Sequence, residues 1–170
     1  DPAVVNSINE SNVNPKYLSE ISIPKQVSAT SSIEDTLRDA QLVLLAAPSH
    51  AARALLTEAK QHTEPSAIIV SVAKGIEVET GKRISEIVYE LMGEQIAESF
   101  VCLSGPSFAK EVVTNHPTAI VAASRNESAA RKVQAELSHA NLRIYTNTDV
   151  VGTELGGSVF DNCRPRVFGP

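Results

Sequence analysis

The sequence predicts an α/β fold in which a largely parallel sheet carries helices on both faces. Short apolar runs alternate with longer amphipathic ones along the chain. The apolar runs are rich in β-branched residues and lack polar alternation, as strands covered on both sides require. The segments between them carry apolar residues at helical spacing, bounded by recognisable start and stop residues.

Residues 2–11 read as a helix, and 12–24 as a loop. The first strand is 41–47 (QLVLLAA), followed by a helix over 49–56 with Ser49 as its cap. A second strand, 67–73 (AIIVSVA), leads to a helix over 80–91 that places Ile84, Ile87, Val88 and Leu91 on one face before Gly93. The third and fourth strands are 100–104 (FVCLS) and 118–123 (TAIVAA). A helix over 126–137 then turns Ala129, Ala130, Val133 and Leu137 inward, and a short strand at 142–146 precedes a helix starting near Asp149.

Composition narrows the function classes. The 170 residues are 42% hydrophobic and 21% charged, enough for one soluble domain with a real core. Fifteen basic against 20 acidic residues give a net charge of -5, with no basic block to track a phosphate backbone, and only 4% are aromatic with no Trp. Nucleic acid is therefore not an expected partner. No apolar run reaches the ~20 residues of a membrane span, and no secretory leader opens the chain. A cytoplasmic protein is expected. Cys102 and Cys163 lack metal or redox spacing, and no histidine pair has ligand spacing, so no metal site is expected. The Asp and Glu residues read as surface helix pairs. A start at Asp-Pro without an initiator Met, and an end at Phe-Gly-Pro, read as a fragment.

Right-handed crossovers align strand C-termini and helix N-termini along one sheet edge, where ligands bind in open α/β sheets. The loops after the strands are therefore the candidates for chemistry: Pro48-Ser49-His50, Lys74-Gly75 and Gly105-Pro106-Ser107. Lys74 ends a buried run beside a flexible glycine, and its ammonium can stabilise developing negative charge; a solvated loop lysine is the plainer alternative. Gly105 permits close backbone approach, Pro106 suits a first helical turn and Ser107 adds a hydroxyl, which together describe either an anion site or an ordinary helix cap.

Read together, the motifs are more specific. Residues 14–18 (NPKYL), 43–49 (VLLAAPS), 73–77 (AKGIE) with 80–82 (TGK), 103–109 (LSGPSFA) with Glu111, 117–119 (PTA) and 151–157 (VGTELGG) stand in the order of the bacterial-type NAD(P)-dependent glycerol-3-phosphate dehydrogenases, which this sequence resembles over residues 1–158. The resemblance implies a Rossmann-like domain of a two-domain enzyme. It implies hydride transfer between NAD or NADP and dihydroxyacetone phosphate, giving sn-glycerol 3-phosphate, a glycerophospholipid precursor. By the same resemblance Lys74 contacts substrate and cofactor and polarises the C2 oxygen, Gly105 and Ser107 bind the glycerol phosphate, and Tyr17 and Ala109 bind cofactor. A homodimer of the full-length protein is compatible with it.

The departures from the family pattern set further expectations. The Gly-rich pyrophosphate turn and about 30 residues forming one βαβ unit are absent from the front. After Gly157 the family carries Lys-Asn, whose lysine is its proton donor; here no lysine follows Lys132. The expected organisation is a partial dinucleotide-binding domain over 1–158 and an atypical tail over 159–170, without the helical substrate domain. Such a piece is itself expected to be inactive. The alternatives are a non-catalytic truncated nucleotide-binding module, or another member of the 3-hydroxyacid or 6-phosphogluconate dehydrogenase-like group.

Overall fold

A computed structural model describes residues 1–162, with side chains to 157. The N-terminal helix α1 (Pro2–Ser11) starts where Asp1 accepts the Ala3 N–H at 3.1 Å and Pro2 occupies the first turn; it ends at Asn12 with φ 54°. The loop that follows is tied back by Asn9, whose amide bonds both the N–H and the carbonyl of Ala29. A five-residue helix α2 (Ile33–Leu37) comes next, capped by Ser32 through the Asp35 N–H at 3.1 Å. Its Ser-x-x-Asp start is a capping signature.

The sheet contains β1 (Leu42–Leu45), β2 (Ile68–Ser71), β3 (Val101–Ser104), β4 (Thr118–Ala123) and β5 (Leu142–Asn147), side by side in that order. The first three run parallel, β4 is antiparallel to β3, and β5 is parallel to β4. The expectation of a mostly parallel sheet holds, with one reversal. Between β3 and β4 the only helix is α6 (Ala109–Val113), five residues long, and a connection that short turns the chain back instead of crossing over. The carboxyl ends of β1, β2 and β3 therefore share one edge with the amino ends of β4 and β5.

The helix α3 (Ser49–Ala59) links β1 to β2, and α4 (Ile84–Met92) with α5 (Glu94–Glu98) links β2 to β3. Both lie on one face, where Ala52, Leu56, Ile84, Ile87 and Val88 bury against Leu45, Ile69 and Cys102. The opposite face is covered by α7 (Glu127–Leu137), whose Ala129 and Val133 meet Val70, Val101, Ala122 and Ile144. The sidedness follows from β2, all four residues of which are buried: its alternate side chains feed the two cores. The last helix, α8 (Val150–Asn162), starts where Asp149 accepts the Gly152 N–H at 2.8 Å and contributes Val150 to the α3–α4 core. Most of the tail expected from 159, with Cys163, lies outside the described residues.

Several boundaries differ from expectation. Ser49 is the first helical residue of α3 and not its cap; Pro48 holds that position without a side-chain bond. The helix predicted from 80 starts at Ile84, because residues 77–82 close into a loop in which Glu77 N–H donates to the Lys82 carbonyl and Gly81 N–H to that of Glu77, both at 2.8 Å. Gly81 has φ +69°, which stops helix from propagating backward. At Gly105-Pro106-Ser107 the expected first helical turn is a bend, and α6 starts at Ala109.

Candidate functional site

The carboxyl ends of β1–β3 bring the predicted loops together. After β1 the chain enters α3 at Ser49, and after β2 it passes through half-buried Lys74 to Gly75. Gly75 has φ +101°, and a β-carbon there would lie 3.3 Å from Ser49 Oγ, so the first two loops are in contact. After β3, the Ser107 N–H donates to the Gly105 carbonyl at 2.8 Å, which closes a tight turn at the strand end. A β-carbon at Gly157 would overlap Ser104 Oγ, so α8 crosses the end of β3. Ser49, Lys74, Gly75, Gly105 and Ser107 thus occupy one edge of the sheet.

The reasons for individual residues differ from those the sequence offered. Gly105 is explained first by packing: a β-carbon would sit 2.9 Å from Ile120 Cγ2 and 3.0 Å from Ile120 Cα on β4. With α6 only five residues long, Ser107 does not stand at the start of an extended helix dipole. Tyr17 is 66% exposed in the loop after α1, where Asn14 Oδ1 accepts its N–H at 3.1 Å and Lys16 Nζ lies 5.8 Å from the ring. That loop approaches α6, the helix of Ala109, through Glu20 and Lys110 at 4.0 Å.

The acidic residues are more than surface pairs. Among the described residues Glu77 is the one charged residue that is buried, at 6% exposure. It receives both arms of the Arg53 guanidinium, Nε at 2.7 Å and Nη2 at 2.9 Å, and the Thr80 hydroxyl. Arg53 also donates to Glu90 at 2.9 Å, and Lys82 meets Glu90 at 2.5 Å. The Arg53 bonds hold the Glu77 carboxyl below its usual range, with Thr80 adding to the effect, and those of Arg53 and Lys82 bring Glu90 down to about 2. A second cluster surrounds Glu154 on α8: its carboxylate accepts from Ser85 N–H at 2.9 Å, Ser85 Oγ at 2.6 Å and Arg83 Nη1 at 3.0 Å. Neither cluster shows in local sequence spacing, because Arg53 stands 24 residues from Glu77 and 37 from Glu90, and Glu154 stands 69 from Ser85 and 71 from Arg83.

The donor set at the β1–β3 edge, an ammonium, serine hydroxyls and backbone N–H groups, suits an anionic, hydroxyl-bearing ligand. Triose phosphates and nicotinamide dinucleotides are both of that kind. A groove of 870 Å³ lies elsewhere, between α4, α5 and the start of α8; Tyr89, Glu94 and Val151 line it, and Lys74, Gly105 and Ser107 do not. It reaches the β2–α4 loop only at Lys82 and Arg83, away from the residues gathered at the carboxyl ends of β1–β3, and is a poor candidate for the site. Among the described residues no group of three His, Cys, Asp or Glu could hold a metal ion, and no helix is long and apolar enough to cross a membrane.

A sequence model of the NAD-dependent glycerol-3-phosphate dehydrogenase N-terminus matches residues 1–130. The chain is 44% identical over 156 residues to the glycerol-3-phosphate dehydrogenase (NAD(P)+) of Koribacter versatilis, covering 92% of this chain and 46% of that protein. It is 41% identical, at the same coverage, to that of Listeria monocytogenes. The crystal structure of glycerol-3-phosphate dehydrogenase from Coxiella burnetii superposes with a TM-score of 0.84 at 28% identity, over 92% of this chain and 47% of that one. The chain thus spans a little under half the length of these relatives.

Proposed function

We propose, given that the chain belongs to the NAD-dependent glycerol-3-phosphate dehydrogenase family through its N-terminal part, that it forms part of the dinucleotide-binding domain of an enzyme reducing dihydroxyacetone phosphate to sn-glycerol 3-phosphate. In this reading residues 1–158 are the partial dinucleotide-binding domain. The carrying observation is the meeting of the loops after β1, β2 and β3 at one sheet edge, with Gly75 packed on Ser49 and Lys74 beside it.

NAD(P)H supplies the hydride when bound. The chain's own part is to bind and orient. Lys74 donates a hydrogen bond from Nζ to the C2 oxygen of the ketone and stabilises the negative charge that develops there; a preorganised donor of this kind is worth roughly 10²–10³ in rate. Gly105 and Ser107 offer backbone and hydroxyl donors to the substrate phosphate, whose charge Lys74 also attracts. Tyr17 and Ala109 contact the dinucleotide, a role supported by the approach of the Tyr17 loop to α6 through Glu20 and Lys110. A cytoplasmic location and a homodimer belong to the same reading, and the net charge of -5 argues against nucleic acid as a partner.

The test is made on the protein expressed at its relatives' full length. Lys74→Ala is expected to lower kcat for dihydroxyacetone phosphate with NADH by about 100-fold or more while thermal stability is retained. Turnover and KM equal to wild type would overturn the assignment of Lys74. Reduction of 2-keto acids in preference to dihydroxyacetone phosphate would overturn the substrate.

A further inference from the structure

We propose that the Arg53–Glu77 ion pair is a positioning device for Lys74, holding the β2–α4 loop against the first turn of α3. The inference rests on the reading of Lys74 given above; it adds Arg53, which lies outside the site motifs, and a role for Glu77 within them.

The segment between β2 and α4 runs from 72 to 83, and its glycines, Gly75 and Gly81, have φ of +101° and +69°. A segment of that length with two such residues has many accessible conformations when untethered, and ordering it carries an entropic cost. Lys74 lies near its start, three residues before Glu77. The loop touches α3 at two places: Gly75 packs on Ser49, and Glu77 takes the fork of Arg53. Ser49 and Arg53 are four residues apart and share one face of α3, and Gly75 and Glu77 are two apart, so the loop lies along the first turn of that helix.

Glu77 is the hub of this arrangement. Its side chain binds Arg53 and Thr80, its N–H binds the Lys82 carbonyl and its carbonyl binds the Gly81 N–H. Arg53 and Lys82 carry the tether on to Glu90 of α4. With Glu77 buried and Arg53 half-buried, the pair gives up hydration for its attraction, so it is better accounted for by the geometry it specifies than by net stability. The planar guanidinium meeting a carboxylate in two parallel bonds fixes direction as well as distance, which a lysine in its place would not do. The geometry it specifies here is the course of the chain from Gly75 to Lys82, and hence the root of the Lys74 side chain.

The 170-residue chain allows a direct test by NMR. In Glu77→Gln, the backbone and Cε resonances of Lys74 and the amide of Gly75 are expected to move or broaden, and the Glu77-site and Gly81 amides to exchange at least tenfold faster. The amides of Ile69 and Val70 in β2 should lose much less protection than these. Arg53→Lys, which retains the charge without the fork, should reproduce the change in weaker form; it replaces Glu77→Gln as the deciding variant if the latter does not fold. Unmoved Lys74 and Gly75 signals in a folded variant would overturn the proposal, as would an equal loss of protection in β2, which would make the pair a general stabiliser. Titration with dihydroxyacetone phosphate separates this outcome from the parent reading: if binding by the full-length protein is insensitive to Lys74→Ala, the role of Lys74 fails while the loop signature of Glu77 stands.

Discussion

Ile120 decides what Gly105 may be. Residues Ser104 and Val121 are paired across the antiparallel β3–β4 junction, so Gly105 comes directly against Ile120, with no room for a β-carbon. Gly105→Ala is therefore expected to cost about 1–3 kcal/mol through a forced shift of β4, measured as a lowered urea midpoint with an unchanged m-value. An unchanged midpoint would show that the junction yields freely. The sequence marked Gly105 as a close approach, and it is one, but the approaching group is a neighbouring strand. The position of Lys74 after β2 was legible because it ends an apolar run beside a glycine. Glu77 was not legible, since nothing within a few residues reveals that an arginine 24 positions earlier would fold onto it. Cys102 shows the converse: it offers a thiol, but burial, aided by the charge of Glu154, pushes it up to about 12, so it stays a neutral core residue.

At the level of elements, the start of α4 shows how far local signals reach. Its apolar face was readable: Ile84, Ile87 and Val88 are buried as the spacing requires. Its first residue was not, because the terminus is capped partly from outside. Glu86 accepts the Arg83 N–H at 2.9 Å, which holds the Glu86 carboxyl below its usual range, and Glu154 accepts the Ser85 N–H from 69 residues away. That second cap also fastens α8 to α4. Glu154→Ala leaves the Ser85 N–H, the Ser85 hydroxyl and Arg83 without this acceptor, and is expected to cost about 2–4 kcal/mol. Urea denaturation would measure it, and Glu154→Gln, which keeps an acceptor, should cost less. A loss below the error of the method would mean that α8 does not depend on this contact. The helices α2 and α5, at five residues each, were not predicted: they span little more than one turn, too short to show a period.

For the whole molecule, the ion pairs across α3, α4 and the β2–α4 loop make stability depend on acid. Glu77 and Glu90 are held below the ordinary 4.5 mainly by hydrogen bonds from Arg53, and Glu90 lies at about 2. A carboxylate with a depressed folded pKa contributes stability that is present above its unfolded value and lost as pH falls through its folded value. Tm should therefore hold steady from neutral pH to about 5 and fall between about 4.5 and 2. In Glu77→Gln the neutral Tm should be lower and the acid fall shallower. Circular dichroism melts across this range would check both, and a parallel fall in wild type and variant would remove Glu77 from the account.

The alternation of buried strands and amphipathic helices, their order, and the loops that gather at one edge were determined by the sequence alone, because hydrophobic periodicity and turn chemistry are local properties that few tertiary contacts override. The family motifs were legible for the same reason: each is a short run at a strand end. Only the tertiary structure decided the reversal of β4, the placement of Gly105 against Ile120, and the two clusters centred on Glu77 and Glu154. Each of these joins groups distant along the chain, and their pairing is fixed by how the helices seat on the sheet, which no window of neighbouring residues contains.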